Sequence, residues 1–236
     1  MPSFYCPELD NIVKIVRLSG EEHHHLAHVL RNKEGDIIFL NSGKGFFGKG
    51  EIISIGKNDT QVEILETHFT PKPQPAFSLA FSLLRNKNDE WIVEKATELG
   101  AEEFFPMRTQ YSVRTASLNT VKRFQATALS AIKQCDNPWL PFIHPVLPLQ
   151  KAIAAIQQAG YEPVFASENL PNNWMDSLKL DRNYCFFVGP EGGFSPEEFE
   201  WLSRQHFTAI RLSSRILRAE TAAVALAAQF NLLRKQ

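Results

Sequence analysis

A glycine-rich loop in the last quarter of the chain has the composition of a ligand-binding loop. Gly189–Gly193, with the sequence Gly-Pro-Glu-Gly-Gly, follows the apolar run Tyr184–Val188, which predicts a buried parallel strand. Ser195, Pro196 and Glu198 then predict a helix start with a capping box. Ligands of open α/β sheets bind where strands end, and glycines there let backbone groups approach a bound molecule.

The same loop lacks the marks of phosphate recognition. It has neither the glycine spacing of a Rossmann motif nor the Lys-Ser/Thr pair of a P-loop. Two interpretations follow from the loop itself, a site for a nucleotide-like ligand that is not held by its phosphates, or a plain tight turn.

A second group of polar side chains, Arg218, Glu220 and Thr221, lies where an alanine-rich helix, residues 219–233, is predicted to begin. A glutamate near a helix N-terminus is favourable for the helix dipole, so capping explains Glu220 as well as chemistry does. An arginine in the same turn opposes the dipole. Arg218 is therefore the better functional candidate.

Histidines cluster on one predicted helix early in the chain, at His23, His24, His25 and His28. His24 and His28 are four residues apart and share a helix face, which raises the question of a metal site. No cysteine, second histidine cluster or carboxylate set completes a four-ligand site, so we predict no metal. No Ser-His-Asp or Cys-His arrangement is recognisable either, and a covalent intermediate is not expected.

The composition sets the class of protein. The 236 residues are 44% hydrophobic and 22% charged, which is ordinary for a globular protein of one or two domains. No apolar run is long enough to span a membrane and no signal peptide is visible, so we expect no membrane partner. Three scattered cysteines without a Cys-x-x-Cys pair predict reduced thiols and a cytoplasmic protein.

The net charge of −1 argues against a protein that binds nucleic acid without sequence preference through its overall charge. A role on nucleic acid would rest on local basic patches, and solvated surface explains each patch equally well. The candidates are Lys44, Lys49 and Lys57, and then Lys122, Arg123 and Lys133 on one predicted helix.

Prolines at alternate positions, Pro71, Pro73 and Pro75, predict an extended linker between two domains. Residues 1–70 alternate short strands (37–40, 50–55 and 60–65) with one helix from Glu21 to about Arg31, which predicts a small, partly open β-barrel. Residues 76–236 alternate strands and helices and predict a mostly parallel α/β domain. Its predicted strands are 77–84, 103–107, 162–166, 184–188 and 209–212, and its predicted helices are 89–99, 119–135, 149–159, 195–205 and 219–233.

Several ordered motifs resemble one known family. They are Gly189–Gly193 (GPEGG), Ile216–Ala222 (ILR-x-ETA), Glu94–Gly100 (EKATELG), His25 with Val29, Leu30 and Arg31, and Gln134 with Pro141. In this order and spacing they resemble the RsmE family, the 16S ribosomal RNA uridine-N3 methyltransferases of the SPOUT class. The resemblance covers nearly the whole chain.

The resemblance implies a PUA-like N-terminal β-barrel domain and a C-terminal SPOUT α/β domain with a deep trefoil knot. It also implies a homodimer with RNA entering between the subunits, and S-adenosyl-L-methionine bound among three loops. The cofactor-binding residues carried over in this way are Phe165, Ala166, Ser167, Gly189, Pro190, Glu191, Gly192, Gly193, Leu212, Ser213, Ile216, Leu217 and Thr221.

The reaction implied by the resemblance is methyl transfer to N3 of a uridine in 16S ribosomal RNA of the 30S subunit. N3 of uracil carries a proton at neutral pH, so a base must remove it before or during attack. Arg218 and Glu220 are the catalytic candidates, Arg218 for the negative charge that develops on oxygen and Glu220 for the proton. The RNA-binding candidates are His25, Arg31, Lys44, Arg108, Arg114, Gln134 and Trp139.

The chain departs from the family pattern on the surface expected to meet RNA. Arginines are usual in the family where this chain has Ser3, Tyr111, Asn137 and Trp139, and a glycine is usual at Ser213. Two alternatives therefore accompany the main hypothesis. One is a non-catalytic RNA-binding or ribosome-assembly factor, and the other is a SPOUT ribose 2′-O-methyltransferase.

Overall fold

The chain forms two compact units in a computed structural model that describes residues 3–166, 175, 178–205 and 207–234. The first unit consists of Met1–Lys72 and Leu129–Leu140, and the second of Pro73–Ala128 and Pro141–Gln236. The sequence predicts domains over residues 1–70 and 76–236. In the structure, residues 129–140 group with the N-terminal segment, far from them in sequence, and the rest of residues 76–236 group with the second unit.

The first unit is built on a sheet with five strands among the described residues. They are β1 (Phe4–Tyr5), β2 (Ile15–Ser19), β3 (Ile37–Asn41), β4 (Phe46–Ile55) and β5 (Asp59–Phe69), in the order β1-β3-β4-β5-β2. β1 pairs with β3 in parallel and the other pairs are antiparallel. Alternate residues such as Val16, Leu40 and Val62 form its apolar core, which is the period-2 pattern of a sheet with one buried face. β1 and β2 were not predicted.

The helix predicted from Glu21 to Arg31 is present in a modified form. The α-helix α1 (Gly20–His24) continues as a π-helical turn over His25–Val29, where the Leu30 N–H donates to the His25 carbonyl at 2.9 Å. Arg31 then has a left-handed backbone (φ 57°), which ends the helix. Leu26 is buried on the inner side of the turn.

Trp139 joins residues 129–140 to the rest of the first unit. Its indole N–H donates to the Thr70 carbonyl at 2.9 Å, its ring meets the Phe69 ring edge to face, and the Lys72 ammonium lies 5.2 Å from its centroid. Gly45 has φ 98° and packs so closely under the ring that a Cβ there would collide with it. The Trp139 ring is therefore part of the internal packing of this unit.

The second unit contains a parallel sheet with seven strands in the described part of the chain. They are β6 (Phe77–Ser82), β7 (Glu103–Arg108), β8 (Phe142–Ile143), β9 (Leu147–Pro148), β10 (Glu162–Ala166), β11 (Tyr184–Val188) and β12 (Thr208–Ile210). The order is β12-β10-β11-β6-β7-β8, with β9 also paired to β7. Its helices are α2 (Asn88–Glu98), α4 (Leu149–Gln158), α5 (Pro196–Arg204) and α6 (Ala219–Leu233). The helix α3 (Thr120–Cys135) belongs to this unit up to Ala128 and to the first unit from Leu129 on.

Helices cover both faces of this sheet, which is why its strands are apolar on both sides. On one face, Phe230 of α6 meets Phe77 and Phe186. On the other, α4 presents residues at the i, i+3, i+4, i+7 spacing of an apolar helix stripe, namely Leu149, Ala152, Ile153 and Ile156, to a core that includes Phe105 and Phe187.

The predicted strands and helices of the α/β domain are confirmed, with shifts of a few residues at their ends. β6 ends at Ser82 and β12 at Ile210, each two residues before its predicted end. Within the described residues, no helix is both long enough and apolar enough to cross a lipid bilayer.

Replacing Trp139 with alanine tests the packing role of its ring. We expect Trp139→Ala to lower the free energy of unfolding by about 3 kcal/mol, because it removes a large packed ring and its hydrogen bond. Ile12 lies in the same unit with its side chain mostly exposed, and Ile12→Ala is expected to change stability by less than about 0.5 kcal/mol. Urea unfolding followed by far-UV circular dichroism measures both. Equal stabilities of the two variants would contradict the packing role.

Candidate active site

The carboxyl ends of five parallel strands meet at one edge of the second sheet. Phe165 of β10 is in register with Phe187 of β11, and Ala166 of β10 with Ile210 of β12. On the other side, Val188 of β11 is in register with Phe81 of β6, which pairs with β7. The loops that follow β6, β7, β10, β11 and β12 therefore leave the sheet side by side, which is where open α/β sheets bind ligands.

The glycine loop after β11 has a defined turn conformation. The Gly193 N–H donates to the Pro190 carbonyl at 2.9 Å, and Gly193 has φ 72°, a left-handed backbone that favours glycine. The predicted capping box is confirmed, because Ser195 Oγ accepts from the Glu198 N–H and the Glu198 carboxylate accepts from the Ser195 N–H. The loop enters from a buried strand and leaves into a capped helix.

The loops after β10 and β12 present backbone groups at this edge of the sheet, and not the side chains of all the predicted cofactor-binding residues. The Phe165 ring lies in the core beside Phe187 and Phe199, so only the backbone of Phe165 is available at the edge. Ala166 is half-buried, and Ser167 lies outside the described residues. After β12, the Leu212 carbonyl accepts from Gln229 on α6 at 3.2 Å.

Around Ser213 the loop after β12 folds on itself. The Ser213 carbonyl accepts from the Arg211 guanidinium at 2.9 Å, and the Ser213 hydroxyl accepts from the Arg215 N–H at 3.1 Å. Leu217 is half-buried, whereas the Ile216 side chain is exposed. The carbonyl and the hydroxyl of Ser213 thus both accept hydrogen bonds from within this loop.

The two catalytic candidates, Arg218 and Glu220, both lie at the start of α6. Arg218 is the N-cap residue, its side chain is exposed, and its carbonyl accepts from the Ala222 N–H at 2.8 Å. Glu220 lies in the first turn, and its Oε2 atom is buried without a hydrogen-bond partner among the described residues. Thr221 is exposed beside it. A buried polar atom without a hydrogen-bond partner is costly, so a functional role of Glu220 stays a prediction beside helix capping.

A cleft of about 550 Å³ lies on the other side of the glycine loop. Its lining comes from the loops after β6, β7 and β11, namely Arg85, Gln110, Tyr111, Ser112, Val113, Glu191 and Gly192. β6 and β11 are the neighbours at which the strand order reverses, so the cleft lies at the topological switch point. Most of these residues were not predicted as site residues. Their position just after two predicted strands was a signal, but the sheet order that makes them neighbours is not in the sequence.

Two backbone contacts connect the walls of this cleft. The Arg85 N–H donates to Glu191 Oε1 at 3.0 Å, which joins the loop after β6 to the glycine loop. The Gln110 N–H donates to Glu198 Oε1 at 2.8 Å, which joins the loop after β7 to the start of α5.

In the second unit, one residue predicted to contact RNA, Arg114, already forms an ion pair within the protein. Arg114 forms an ion pair with Asp89, whose side chain is fully buried. Burial raises the pKa of the Asp89 carboxyl and the Arg114 guanidinium opposes that rise, so the pair keeps a buried charge compensated. Arg108, the last residue of β7, is exposed. RNA contact stays a prediction for both arginines.

In the first unit, the predicted RNA contacts are mostly at the surface. Gln134, Arg31 and Lys44 are exposed, with the Lys44 ammonium 3.0 Å from the Pro7 carbonyl, and His25 is half-buried with its ring 6.0 Å from that of Phe4. Trp139 is held by the packing described above. RNA binding by these residues stays a prediction, and Trp139 is the least available of them.

Two buried cysteines and a buried histidine are not placed to act as nucleophiles or metal ligands. Burial raises the pKa of the Cys6 thiol to about 12 and also raises that of Cys185, so neither forms a thiolate nucleophile at neutral pH. His23 is buried and its Nδ1 atom lies 2.8 Å from the Thr60 hydroxyl. No group of three or more potential metal ligands occurs in the part of the chain that the structure describes.

Known proteins resemble this chain in sequence and in fold over most of its length. Residues 70–231 match the family model described as RNA methyltransferase domain, and residues 18–65 match the model described as RNA methyltransferase PUA domain. The chain belongs to this family of RNA methyltransferases. Among its relatives, the ribosomal RNA small subunit methyltransferase E of Bacillus subtilis is 30% identical over 217 residues, which cover 87% of this chain and 85% of that protein.

Solved structures agree with that assignment. The crystal structure of a ribosomal RNA small subunit methyltransferase E from Neisseria gonorrhoeae bound to S-adenosyl methionine has a TM-score of 0.87 and 26% identity, and covers 99% of this chain and 98% of that one. A probable rRNA-methyltransferase from Porphyromonas gingivalis has a TM-score of 0.82 and 26% identity, with 100% and 99% covered. The resemblance to the RsmE family, the α/β SPOUT class and the PUA-like N-terminal domain are confirmed, and the trefoil knot stays a prediction.

The residues of this RNA methyltransferase suit S-adenosylmethionine in two respects. Gly189–Gly193 offers backbone groups without a lysine or arginine, as a cofactor without phosphates requires. Glu220, in the first turn of α6, has a buried Oε2 atom without a hydrogen-bond partner among the described residues, which leaves an acceptor for a ligand group.

Gly193 provides a test of the glycine loop with a closely matched control. We expect Gly193→Val to lower the affinity for S-adenosylmethionine at least about tenfold, because a β-branched residue at φ 72° distorts the turn that presents the backbone. Gly160, after α4, has φ 84° and the same open space around its missing Cβ. Gly160→Val therefore carries the same backbone strain away from the site.

Calorimetric titration with S-adenosylmethionine and thermal unfolding measure both variants. The expected result is a similar loss of stability in the two and a loss of cofactor affinity in Gly193→Val alone. Unchanged affinity in a folded Gly193→Val variant would contradict the assignment of this loop.

Proposed function

We propose that this protein transfers a methyl group from S-adenosylmethionine to N3 of a uridine in 16S ribosomal RNA of the small subunit. The observation that supports this most is the glycine loop at the carboxyl edge of the parallel sheet, inside the segment that matches the RNA methyltransferase model. The relative from Bacillus subtilis is named a ribosomal RNA small subunit methyltransferase E, and the one from Neisseria gonorrhoeae has S-adenosyl methionine bound.

We propose that three loops hold the cofactor. These are the backbone at Phe165, Ala166 and Ser167, the glycine loop with Gly189, Pro190, Glu191, Gly192 and Gly193, and the loop with Leu212, Ser213, Ile216 and Leu217, together with Thr221 at the start of α6. S-adenosylmethionine supplies an electrophilic methyl group on a positively charged sulfur. Because the glycine loop has no basic residue and three glycines, its backbone groups can surround adenine and ribose.

The chain's own residues handle the proton and the charge of the uracil. N3 becomes nucleophilic when its proton leaves, and we assign that proton to the Glu220 carboxylate, whose Oε2 atom is buried and unpartnered in the described structure. Loss of the proton spreads negative charge onto the two ring carbonyl oxygens. The exposed Arg218 guanidinium, one residue before α6, is assigned to stabilise that charge.

The physiological substrate in this proposal is the assembled 30S subunit, and the enzyme acts as a homodimer with RNA entering between the subunits. The net charge of −1 supports the first part, because phosphate neutralisation by Lys and Arg supplies most non-specific affinity for naked RNA. Recognition then rests on the shape of folded RNA and on stacking. Cytoplasmic localisation stays a prediction.

Methylation of two forms of the substrate tests the proposed function. The 30S subunits and protein-free 16S RNA come from cells that lack the modification, and nucleoside mass spectrometry reads the product. We expect N3-methyluridine on 30S subunits at a rate at least about tenfold above that on free RNA, because free RNA depends more on charge. Equal rates on both would contradict the substrate form, and ribose methylation would favour a 2′-O-methyltransferase. No product and no calorimetric binding of S-adenosylmethionine would favour a non-catalytic RNA-binding factor.

Replacing Arg218 tests its assigned role. We expect Arg218→Ala to lower kcat on 30S subunits by about 10²–10³-fold with the affinity for S-adenosylmethionine within about twofold, because the guanidinium acts on charge that develops only in the transition state. Arg204 on α5 is exposed and pairs with Glu200, so Arg204→Ala removes the same charge elsewhere and serves as the control. Loss of cofactor affinity in step with rate would make Arg218 a binding residue instead.

A further inference from the structure

The cleft at the switch point shares Glu191 and Gly192 with the proposed cofactor loops, and its other lining residues lie outside those loops. β11 is flanked by β10 on one side and by β6 on the other, so the glycine loop has the loops after β10 and β12 on one side and those after β6 and β7 on the other. Two-substrate transfer requires two adjoining sites. The glycine loop is the wall that the cofactor site and this cleft share.

The lining of the cleft suits a planar, uncharged polar group. Arg85 and Glu191 have opposite charges, and the remaining lining residues, Gln110, Ser112 and Val113 among them, are neutral. Neutral donors and acceptors around an apolar wall are typical of base recognition, whereas phosphate recognition requires a surplus of positive charge.

Tyr111 provides the apolar wall. Its side chain is 43% exposed, and the missing side chain of Gly192 faces it, since an ideal Cβ at Gly192 would lie 3.5 Å from Tyr111 Cβ. Gly192 therefore packs against one side of Tyr111, and the rest of the tyrosine side chain is exposed in the cleft. An exposed tyrosine ring in such a cleft is a stacking surface for a base.

The loop that carries Tyr111 is fixed before any ligand binds. At its start, the Thr109 hydroxyl lies 3.1 Å from that of Ser82 and 2.9 Å from that of Ser112. In its middle, the Gln110 N–H donates to Glu198 Oε1, and at its end Arg114 pairs with the buried Asp89. A stacking residue held in this way loses little conformational entropy on binding.

We propose that this cleft receives the unstacked pyrimidine base of the target nucleotide and that the base stacks on Tyr111. This inference rests on the proposed function and deepens it, because it names the group that holds the acceptor base. Enzymes that act on a ring atom of a base take that base out of its stack and bind it between apolar or aromatic side chains.

Four variants separate stacking from other roles of the side chain. Tyr111→Phe keeps the ring, Tyr111→Leu keeps apolar bulk without a π-face, and Tyr111→Ala removes both. Trp91→Ala is the control, because Trp91 is an aromatic residue of the same unit with a similar exposure, 41%, and does not line the cleft. Binding to unmethylated 30S subunits is measured with S-adenosylhomocysteine present, so that no transfer occurs.

We expect Tyr111→Ala and Tyr111→Leu to weaken 30S binding and to raise KM at least about tenfold, and Tyr111→Phe and Trp91→Ala to stay within about twofold of the parent. The affinity for S-adenosylmethionine is expected to be the same in all five proteins. The slope of log affinity against log salt is also expected to be the same for the parent and Tyr111→Ala, because stacking releases no counterions, whereas loss of a cationic phosphate contact lowers that slope by about 1.

Three results would overturn the inference. They are parental 30S binding by Tyr111→Ala, a loss of cofactor affinity in step with 30S affinity, and a changed salt slope. These outcomes differ from failure of the proposed function, in which the parent protein itself forms no N3-methyluridine on 30S subunits.

Discussion

The parallel pairing of β11 on both of its edges is the constraint on which the site depends. All five residues of β11 are buried, and its hydrogen bonds to β10 and to β6 use both edges of the strand. Because the pairing is parallel, every loop that leaves the carboxyl end of these strands emerges at one edge. The glycine loop is held in the middle of that edge, with the proposed cofactor loops on one side and the switch-point cleft on the other.

One carboxylate links that edge to the helices behind it. Glu198 uses Oε2 to accept from the Ser195 N–H and Oε1 to accept from the Gln110 N–H, so the capping box of α5 and the loop after β7 share one side chain. One hydrogen bond fixes the backbone just after the glycine loop, and the other fixes the backbone just before Tyr111. A capping residue here has a positional role beyond the stability of its own helix.

Several charges that the sequence offered for RNA binding are used inside the protein. Arg114 compensates the buried Asp89, and Lys133 pairs with Glu22 in the first unit at 2.6 Å. Such pairs are costly to break because each leaves a partly buried charge without a partner. With a net charge of −1 and these side chains already paired, this protein has little phosphate attraction available for RNA.

Local patterns of residues are sufficient to predict the secondary structure and the chemistry of single loops. Apolar runs predicted the buried strands, the Ser195–Glu198 spacing predicted the capping box, and the motifs around Gly189–Gly193 and Arg218 predicted the family. These features depend on residues close together in the chain, so periodicity and spacing reveal them. The start of α6 was likewise predicted, but not that Glu220 has a buried, unpartnered oxygen.

Which loops are neighbours, and which side chains are already engaged in internal contacts, depends on how the whole chain packs. The placement of β11 between β10 and β6 creates the cleft in front of Tyr111, and it joins residues about 80 positions apart, such as Tyr111 and Gly192. Packing also took Trp139 and Arg114 into internal contacts, although their types made them candidates for RNA. The physical reason is that strand order and burial depend on long-range packing, which no local pattern of residues encodes.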